Sequence, residues 1–450
     1  MTDLSSIVKA YDVRGVVPEQ LDADIARALG AAFALFAGAP RIVTARDMRE
    51  SGVELGRAFA EGVTSQGVDV VESGLGSTDL LYYAAGSMDI PGAMFTASHN
   101  PAKYNGIKLC LAGAKPVGQE SGLATIREQA ERFLDEGIPQ AGTAGTVTQQ
   151  DVLAGYAAYM RSLVPDLAGI RPLTVVVDAG NGMGGHTVST TFEGLPLDVV
   201  EMYFELDGSF PHHEANPIDP ANTADLQARV IAEKADLGLA FDGDADRCFV
   251  IDERGEIVSP SVLTALIAAR ELAKDPGSTV IHNLITSRAV PEVVTENGGT
   301  PVRTRVGHSF IKAEMARTGA VFGGEHSGHF YFRDFWNADS GMLAALHTIA
   351  ALGHAATPLS GLLSTYSRYA ASGEVNSTVE DQAGRLAAIK SRYADRPQDE
   401  LDGLTVDLGD GAWFNVRASN TEPLLRLNVE APDQAAVDRV RDEVLAVIRA

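Results

Sequence analysis

The chain has 450 residues, 45% of them hydrophobic and 21% charged, and its formal net charge is −24. A chain of this length exceeds one hydrophobic core and predicts about three or four domains, while the composition excludes general disorder. The strong negative charge argues against nucleic acid or an anionic membrane surface as a partner.

We expect neither a targeting segment nor a disulfide scaffold in this sequence. The N-terminal residues carry charges and lack the apolar core of a signal peptide. The apolar stretch 25–36 is short and contains Arg27, so we expect a packed helix rather than a membrane span. Only Cys110 and Cys248 are present, which excludes a disulfide scaffold. We expect both thiols to be reduced and buried in strands of a cytoplasmic protein.

Strand-like and helix-like segments alternate in the first part of the chain. The pattern predicts a buried strand over 41–45, a helix over 51–66 and a second strand over 68–71. Such alternation is typical of right-handed βαβ units with a mainly parallel sheet. A loose stretch rich in Gly, Thr and Gln, 140–150, marks a domain boundary.

Two further α/β units follow. The second begins with a helix over 154–163 and a strand over 173–178, and it ends near a strand over 248–252. The third is predicted from a strand and two helices, over 279–283, 309–318 and 340–353.

After about residue 368 the pattern changes to short strands and a terminal amphipathic helix. The predicted strands are 375–379, 404–406, 413–416 and 425–429, and the helix is 435–449. We therefore predict three tandem α/β domains with mixed, mainly parallel sheets and a smaller C-terminal α+β domain. Their expected bounds are 1–150, 151–252, 253–368 and 369–450.

Two segments contain residues suited to catalysis: a polar turn with a serine, and a downstream acidic run. The first is Thr96-Ala97-Ser98-His99-Asn100-Pro101, and the second is Asp242-Gly243-Asp244-Ala245-Asp246-Arg247. Ser98 alone is typical of a turn or a helix cap. A phosphoseryl ester, however, needs a cation on its oxygens before it transfers, and the acidic run supplies a site for one. Together the segments indicate phosphoryl transfer.

Asp242, Asp244 and Asp246 follow an apolar strand at alternate positions, so their carboxylates can converge on one hard cation. Oxygen ligands favour Mg²⁺ over Zn²⁺. An EF-hand calcium loop is the alternative, but its sixth position needs glycine and here holds Arg247. Arg247 can instead hold a phosphoryl oxygen beside the metal.

Glycines at 180, 182, 184 and 185 follow a predicted strand, as in a dinucleotide fold. Their spacing does not give G-x-G-x-x-G, so we predict a tight turn with close backbone packing, and NAD binding is the alternative.

The two chemical segments resemble the phosphoserine loop and the metal loop of the α-D-phosphohexomutase family, which includes phosphomannomutases and phosphoglucomutases. Three further segments are similar to family motifs in the same order: 11–15 (Tyr-Asp-Val-Arg-Gly), 324–329 (Gly-Glu-His-Ser-Gly-His) and 417–423 (Arg-Ala-Ser-Asn-Thr-Glu-Pro). The motifs span residues 11 to 423. The resemblance implies four domains around a central cleft, which in order carry the phosphoserine, the metal, the sugar-recognition loop and the phosphate-binding loop.

The resemblance also implies a set of site residues. Catalytic candidates are Ser98, His99, Lys108, Arg14 and Arg247, with Ser98, Asp242, Asp244 and Asp246 at the metal. Substrate-binding candidates are Tyr11, Arg288, Arg305, His308, Glu325, Ser327, His329, Arg417, Ser419, Asn420 and Thr421. Lys108, Arg14, His99 and His329 all remain open as proton carriers. Arg417 and the loop after it can form an anion-binding nest between two strands.

The implied reaction interconverts hexose 1-phosphate and hexose 6-phosphate through a hexose 1,6-bisphosphate that turns around, with Mg²⁺ as cofactor and a phosphosugar as partner. The loop 324–329 resembles phosphomannomutases and dual phosphomannomutase/phosphoglucomutases. The segment 280–288 lacks a lysine that some dual-specificity members carry, and Arg288 or Arg305 can replace it. Alternatives are a phosphoglucomutase or phosphoglucosamine mutase, a Mg-dependent sugar phosphatase, and a non-catalytic sugar-phosphate binding protein.

Overall fold

The computed structural model describes residues 2–419 and 423–450, apart from the side chains of His308 and Ser309. The chain divides into two compact units. One runs to Ser259 and also contains Ser327–Ser360, and the other contains Pro260–His326 and Gly361–Ala450. None of the described helices combines the length and the apolar character that crossing a lipid bilayer requires.

The first sheet of the first unit is mixed, with a parallel centre. Its strands, in spatial order, are Val13–Val16, Tyr104–Leu111, Gly92–Phe95, Arg41–Arg46, Asp69–Leu75 and Val147–Gln149, and Lys115–Pro116 pairs with Tyr104–Leu111. The last four strands of this order pair in parallel, and the first two pairings are antiparallel. The helices are Ala23–Ala37, Ser51–Ser65, Thr78–Met88 and Leu123–Glu136. The predicted alternation is confirmed here.

Two glycines explain why the first two helices lie so close together. A Cβ on Gly30 would lie 2.2 Å from the carbonyl oxygen of Phe59, and one on Gly62 would lie 2.0 Å from that of Arg27. Only glycine permits this backbone approach. Asp22 caps the first helix by accepting from the backbone N–H of Ile25.

The stretch 140–150, predicted as loose, contains an additional strand. Val147–Gln149 pairs in parallel with Asp69–Leu75 at the edge of the sheet. All three of its residues are exposed, so no apolar signal distinguishes the segment in the sequence.

The second sheet of this unit has Ile257–Val258, Cys248–Asp252, Leu237–Phe241, Leu173–Asp178 and Leu197–Met202 in spatial order. The last three strands are parallel, and Cys248–Asp252 returns antiparallel to Leu237–Phe241. The helices are Leu153–Leu163, Gly184–Phe192 and Ala224–Glu233. Cys248 lies buried in its strand, and Cys110 is buried as well, which confirms a structural place for both thiols.

The glycine-rich segment after Leu173–Asp178 forms the predicted tight turn. The backbone N–H of Gly182 donates to Ala179, and that of Met183 donates to Gly243 in the acidic run. A Cβ on Gly182 would lie 2.7 Å from the carbonyl oxygen of Gly243. The glycines therefore allow close backbone packing against the acidic run.

Residues 327–360 complete the first unit. Phe330–Phe332 and Ala338–Asp339 form an antiparallel pair. Helix Gly341–His354 follows, capped by the Ser340 hydroxyl.

The second unit contains three parallel strands. The central strand, Thr279–Asn283, pairs with Thr300–Thr304 on one side and with Phe322–Gly324 on the other. The helices around them are Pro260–Lys274, Ala289–Glu296 and His308–Thr318. Helix Leu359–Leu363 leads into the C-terminal part.

The C-terminal part is an antiparallel sheet with helices, as predicted. Its strands, in spatial order, are Ala370–Thr378, Leu424–Ala431, Ala412–Ala418, Leu404–Gly409 and Gln398–Asp399. Its helices are Gln382–Arg392, which the sequence analysis did not predict, and Gln434–Ile448. Their apolar faces share a buried core with the sheet.

Candidate active site

Ser98 and the acidic run come together in the first unit. Ser98 lies beyond the carboxyl end of strand Gly92–Phe95, and the acidic run lies beyond that of Leu237–Phe241. Ligand-binding groups collect at this end of parallel strands in α/β folds. The Ser98 hydroxyl donates to Oδ2 of Asp242 at 2.8 Å, although 144 positions separate the two residues.

Ser98 is held in an unusual backbone conformation. Its φ is +49°, in the left-handed region that residues with a Cβ rarely adopt. Its N–H donates to Oγ1 of Thr96 at 2.8 Å. A Cβ on Gly243 would lie 2.5 Å from the Ser98 carbonyl oxygen, so glycine is required where the two loops meet.

The three aspartates form a group that can hold a metal ion. Asp242, Asp244 and Asp246 are buried, and each offers an oxygen within 4.8 Å of the other two. Oδ1 of Asp244 and Oδ1 of Asp246 are buried without a hydrogen-bond partner. Unpartnered buried carboxylate oxygens are costly, and a hard divalent cation would satisfy them. This donor set fits Mg²⁺.

Lys108 connects two of these acids. Its Nζ donates to Oδ2 of Asp244 at 2.8 Å and to Oδ2 of Asp246 at 2.6 Å. Burial opposes the charge, but the two carboxylates raise the pKa of Lys108 well above its ordinary value. Burial likewise disfavours ionised Asp244, but Lys108 holds the pKa of Asp244 below its ordinary value. Lys108 is therefore an ammonium beside the acids.

Arg247 pairs with the first aspartate. Its Nε donates to Oδ2 of Asp242 at 2.9 Å. Burial raises the pKa of Asp242 above its ordinary value, against the opposing effect of Arg247. Nη2 of Arg247 is buried without a hydrogen-bond partner, which leaves a donor for an anionic oxygen.

His329 lies in the same group through its contact with Asp339. Nδ1 of His329 is 3.0 Å from Oδ2 of Asp339 and 3.8 Å from Oδ1 of Asp246. A backbone bridge joins His329 to Arg247. A carboxylate on one ring nitrogen orients the imidazole and fixes its tautomer. Asp339 is not among the residues predicted from the sequence, because it lies in a short strand outside any motif.

His99 stands next to the serine. Its Nδ1 is 3.2 Å from the Ser98 hydroxyl. Burial, together with the charges of Arg247 and Arg14, lowers the pKa of His99 to about 2. His99 is therefore a neutral imidazole near neutral pH.

Arg14 and Tyr11 lie on the N-terminal segment of the same unit. Arg14 donates to Oδ1 of Asn100 at 2.7 Å and to Asp12 at 2.6 Å, and so contacts the serine segment directly. Tyr11 precedes strand Val13–Val16 and is partly buried.

Thr78 is a supporting residue that sequence reasoning missed. Its hydroxyl donates to Oδ2 of Asp244 at 2.6 Å, and its N–H donates to the Asp244 carbonyl at 2.9 Å. Thr78 and Asp244 are 166 positions apart. The only local signal is the helix start at Ser77, which does not identify a second segment in contact.

Glu325 belongs to the second unit, whereas Ser327 and His329 belong to the first. Glu325 is buried, and its Oε1 accepts from Nδ2 of Asn283 at 3.3 Å and from the Gly307 N–H at 3.2 Å. These contacts fix the carboxylate at the carboxyl ends of the strands of that unit.

The arginines predicted in the second unit have contacts of their own. Arg288 pairs with Asp407 at 3.0 Å and lines a cavity of about 270 Å³ that also contains Arg303 and Trp413. The Arg305 guanidinium lies 4.8 Å from the ring centre of Phe310. The side chain of His308 lies outside the described part of the structure.

Arg417 lies near the end of strand Ala412–Ala418 and donates to Oε2 of Glu374 at 2.7 Å. Arg426 on the neighbouring strand shares that carboxylate. Ser419 follows, and its N–H donates to Leu424. Asn420 and Thr421 lie outside the described residues. An anion bound here would compete with Glu374 for Arg417, and the anion-binding nest stays a prediction.

Four family models match the chain in order. They are the phosphoglucomutase/phosphomannomutase α/β/α domains I, II and III, over residues 5–134, 155–255 and 260–369, and the C-terminal domain of that family, over 374–447.

Curated relatives and solved structures agree with these matches. A phosphomannomutase of Escherichia coli is 37% identical over 461 residues, with 100% of both chains covered. A phosphomannomutase/phosphoglucomutase of Pseudomonas aeruginosa is 37% identical and covers 97% of this chain and 94% of its own. The crystal structure of a phosphoglucomutase/phosphomannomutase family protein from Burkholderia thailandensis superposes with a TM-score of 0.88 at 33% identity, covering 100% and 98%.

Three α/β domains, a C-terminal α+β domain and a buried acidic group define a phosphotransferase of the mutase type. The chain belongs to the phosphoglucomutase/phosphomannomutase family and is a phosphohexomutase.

Proposed function

We propose that this phosphohexomutase interconverts mannose 1-phosphate and mannose 6-phosphate, with a phosphoryl group carried on Ser98 and a hexose 1,6-bisphosphate as intermediate. The observation that carries the proposal is the 2.8 Å contact between the Ser98 hydroxyl and Asp242 within the buried acidic group. Full-length relatives named phosphomannomutase support the sugar.

The acidic group is the proposed metal site. Asp242, Asp244 and Asp246, with an oxygen on Ser98, would hold Mg²⁺, which supplies Lewis-acid stabilisation of a transferring phosphoryl group. Lys108 and Arg247 add two fixed positive charges beside the aspartate oxygens. These charges would stabilise the negative charge that develops on the transferring phosphoryl group in the transition state.

The proposed transfer breaks the bond between phosphorus and Ser98 Oγ and forms a bond between phosphorus and a free sugar hydroxyl. The proton of that hydroxyl passes to His329, whose imidazole Asp339 orients. The Ser98 oxygen leaves with the electron pair of the broken bond and takes up a proton from solvent, which gives the hydroxyl that donates to Asp242. In the second half of the reaction the Ser98 hydroxyl loses a proton to solvent and its oxygen bonds to the other phosphorus. The bond between that phosphorus and the sugar oxygen breaks, and His329 returns its proton to the sugar oxygen. Lys108 donates to both Asp244 and Asp246, so its proposed role is to stabilise charge beside the transferring group.

Glu325 and Ser327 are proposed to contact sugar hydroxyls, and Arg417 and Ser419 the phosphate that is not being transferred. Arg14 and Tyr11 are proposed as further contacts near Ser98, because Arg14 binds the serine segment at Asn100. Glucose phosphates form a second proposed substrate pair, since mannose and glucose differ only at C2.

The test compares Ser98→Ala with the wild type on mannose 1-phosphate and glucose 1-phosphate, with Mg²⁺ and hexose 1,6-bisphosphate present. We expect turnover to be lost while the dissociation constant for the sugar phosphate stays within a few-fold, because the variant loses the carrier and keeps the sugar contacts. Intact mass should show the wild type, and not the variant, carrying one phosphoryl group. Ser162→Ala, an exposed serine of the same unit, is the control and should behave as wild type.

Turnover by Ser98→Ala at the wild-type rate would contradict the proposal. Release of inorganic phosphate in step with substrate loss would instead identify a sugar phosphatase. Faster turnover of glucose 1-phosphate than of mannose 1-phosphate would reassign the principal sugar.

A further inference from the structure

Arg49 is a buried guanidinium that no sequence motif identified. It follows strand Arg41–Arg46, two residues after the buried Asp47, and only 1% of its surface is exposed. Its Nε donates to Oδ2 of Asp47 at 3.2 Å. A buried arginine is costly unless its donors are used, so the other contacts of Arg49 indicate what it does.

The remaining donors of Arg49 all bind the segment that carries Ser98. Nη2 donates to the carbonyls of Ser98 at 2.9 Å and Asn100 at 2.6 Å. Nη1 donates to the carbonyls of Pro101 and Tyr104, each at 3.0 Å. One planar group therefore fixes four carbonyls within seven residues, which a lysine ammonium cannot reproduce.

This segment needs such support because its conformation is strained. Ser98 has a left-handed φ of +49°. Residues with a Cβ remain in this region only where the surrounding structure over-determines them. The local hydrogen bond from the Ser98 N–H to Thr96 fixes one side of the residue, and Arg49 fixes its carbonyl on the other side.

A loop from the neighbouring domain covers Arg49. The ring centre of Phe210 lies 5.0 Å from the guanidinium carbon. A Cβ on Gly208 would lie 2.9 Å from the Arg49 Cα, so the loop backbone packs directly on this residue. Water exclusion strengthens the hydrogen bonds beneath, and an arginine over an aromatic face is favourable.

We infer that Arg49 is a positioning residue that holds the Ser98 segment in the conformation that directs the hydroxyl to Asp242. This inference rests on the proposed role of Ser98 as phosphoryl carrier and extends it to the residue that keeps the carrier in place. A displacement of about 1 Å in a reacting group can cost about 100-fold in rate.

The test is Arg49→Lys, with Arg161→Lys as the matched control. Arg161 also donates to two carbonyls of the first unit, those of Thr190 and Thr191, which lie in helix Gly184–Phe192 and not in the serine segment. For Arg49→Lys we expect kcat to fall about 100-fold with KM within about threefold. Hydrogen exchange of the amides of residues 98–104 should accelerate in that variant and remain unchanged in the control.

Wild-type exchange over residues 98–104 in folded Arg49→Lys would overturn the inference, and so would a kcat within threefold of wild type. If Arg49→Lys does not fold, Phe210→Leu removes the covering ring and keeps every hydrogen bond of Arg49. Faster exchange of the same segment is then expected, and unchanged exchange would overturn the inference. Turnover by Ser98→Ala would refute the carrier assignment separately, because the exchange measurement does not depend on it.

Discussion

At the scale of single residues, side chains from other segments of the chain hold Ser98, Asp244 and His329 in place. Alternate aspartates after an apolar strand indicate a cation site in one short segment. Thr78, Arg49 and Asp339 act through contacts with residues elsewhere in the chain, and their local sequences carry only helix-cap or strand signals. The contacts of these three residues depend on tertiary packing, which cannot be predicted from a single sequence by local patterns.

Asp244 gives one oxygen to Lys108 and Thr78 and has the other unpartnered, so Asp244→Asn should impair metal binding and catalysis together. The asparagine amide has only one acceptor oxygen. If that oxygen faces the metal, the amide NH₂ faces Lys108 and Thr78, which are both hydrogen-bond donors. We expect Mg²⁺ affinity and kcat each to fall by more than about 100-fold, beyond the usual cost of losing a supporting contact. Calorimetric Mg²⁺ titration and turnover at saturating Mg²⁺ measure the two effects.

Asp198→Asn is the control for this prediction, because it removes the same charge from an exposed strand position of the same domain. Wild-type Mg²⁺ affinity in Asp244→Asn, or full wild-type activity in a strong chelator, would show that the aspartates do not bind the catalytic metal.

At the scale of elements, a buried carboxyl joins three helices of the first unit. Asp79, in helix Thr78–Met88, accepts from Tyr156 of helix Leu153–Leu163 at 2.9 Å. It also accepts from Ser340, the cap of helix Gly341–His354, at 2.6 Å, and from the Ser77 hydroxyl. Sequence periodicity predicted the second and third helices but not this connection between them.

Burial raises the pKa of Asp79 to about 7 from 3.8, against the opposing effect of its three hydroxyl partners. The folded protein therefore holds a proton that the unfolded chain releases above about pH 4. From this group, stability should be greatest below about pH 4 and should fall by up to roughly 4 kcal/mol as pH rises to about 7. Urea unfolding at several pH values should show this slope in the wild type and lose it in Asp79→Asn.

Asp89→Asn, at an exposed helix end, provides the comparison and should keep the wild-type slope. A stability difference between the wild type and Asp79→Asn that does not change between pH 4 and 7 would mean that Asp79 is ionised throughout.

At the scale of the whole molecule, alternating strand and helix patterns predicted three α/β domains and a different C-terminal domain, and the family models agree. The grouping of residues 327–360 with the first unit was not predictable from chain order. Glycines permit it: a Cβ on Gly341 would lie 2.6 Å from the Arg247 carbonyl carbon, and one on Gly353 would lie 2.5 Å from Ile170. A lone glycine in an apolar helix gives no indication of its partner.

Arg417 is the residue of the C-terminal domain that is expected to bind phosphate. In a protein of net charge −24, a basic residue that binds a phosphosugar must overcome overall repulsion, and Arg417 is already paired with Glu374. If Arg417 binds the phosphate that is not being transferred, Arg417→Ala removes a charge-assisted contact of about 1.5–3 kcal/mol and raises KM about 10- to 100-fold. Phosphorylation of Ser98 should change less, while dependence on added hexose 1,6-bisphosphate should increase because the intermediate escapes.

Steady-state kinetics with and without the bisphosphate measures both effects, and Arg439→Ala, exposed on the terminal helix, is the control. If KM and the bisphosphate requirement were both unchanged in Arg417→Ala, Arg417 would be structural and phosphate binding would have to be assigned to Arg288 or Arg305.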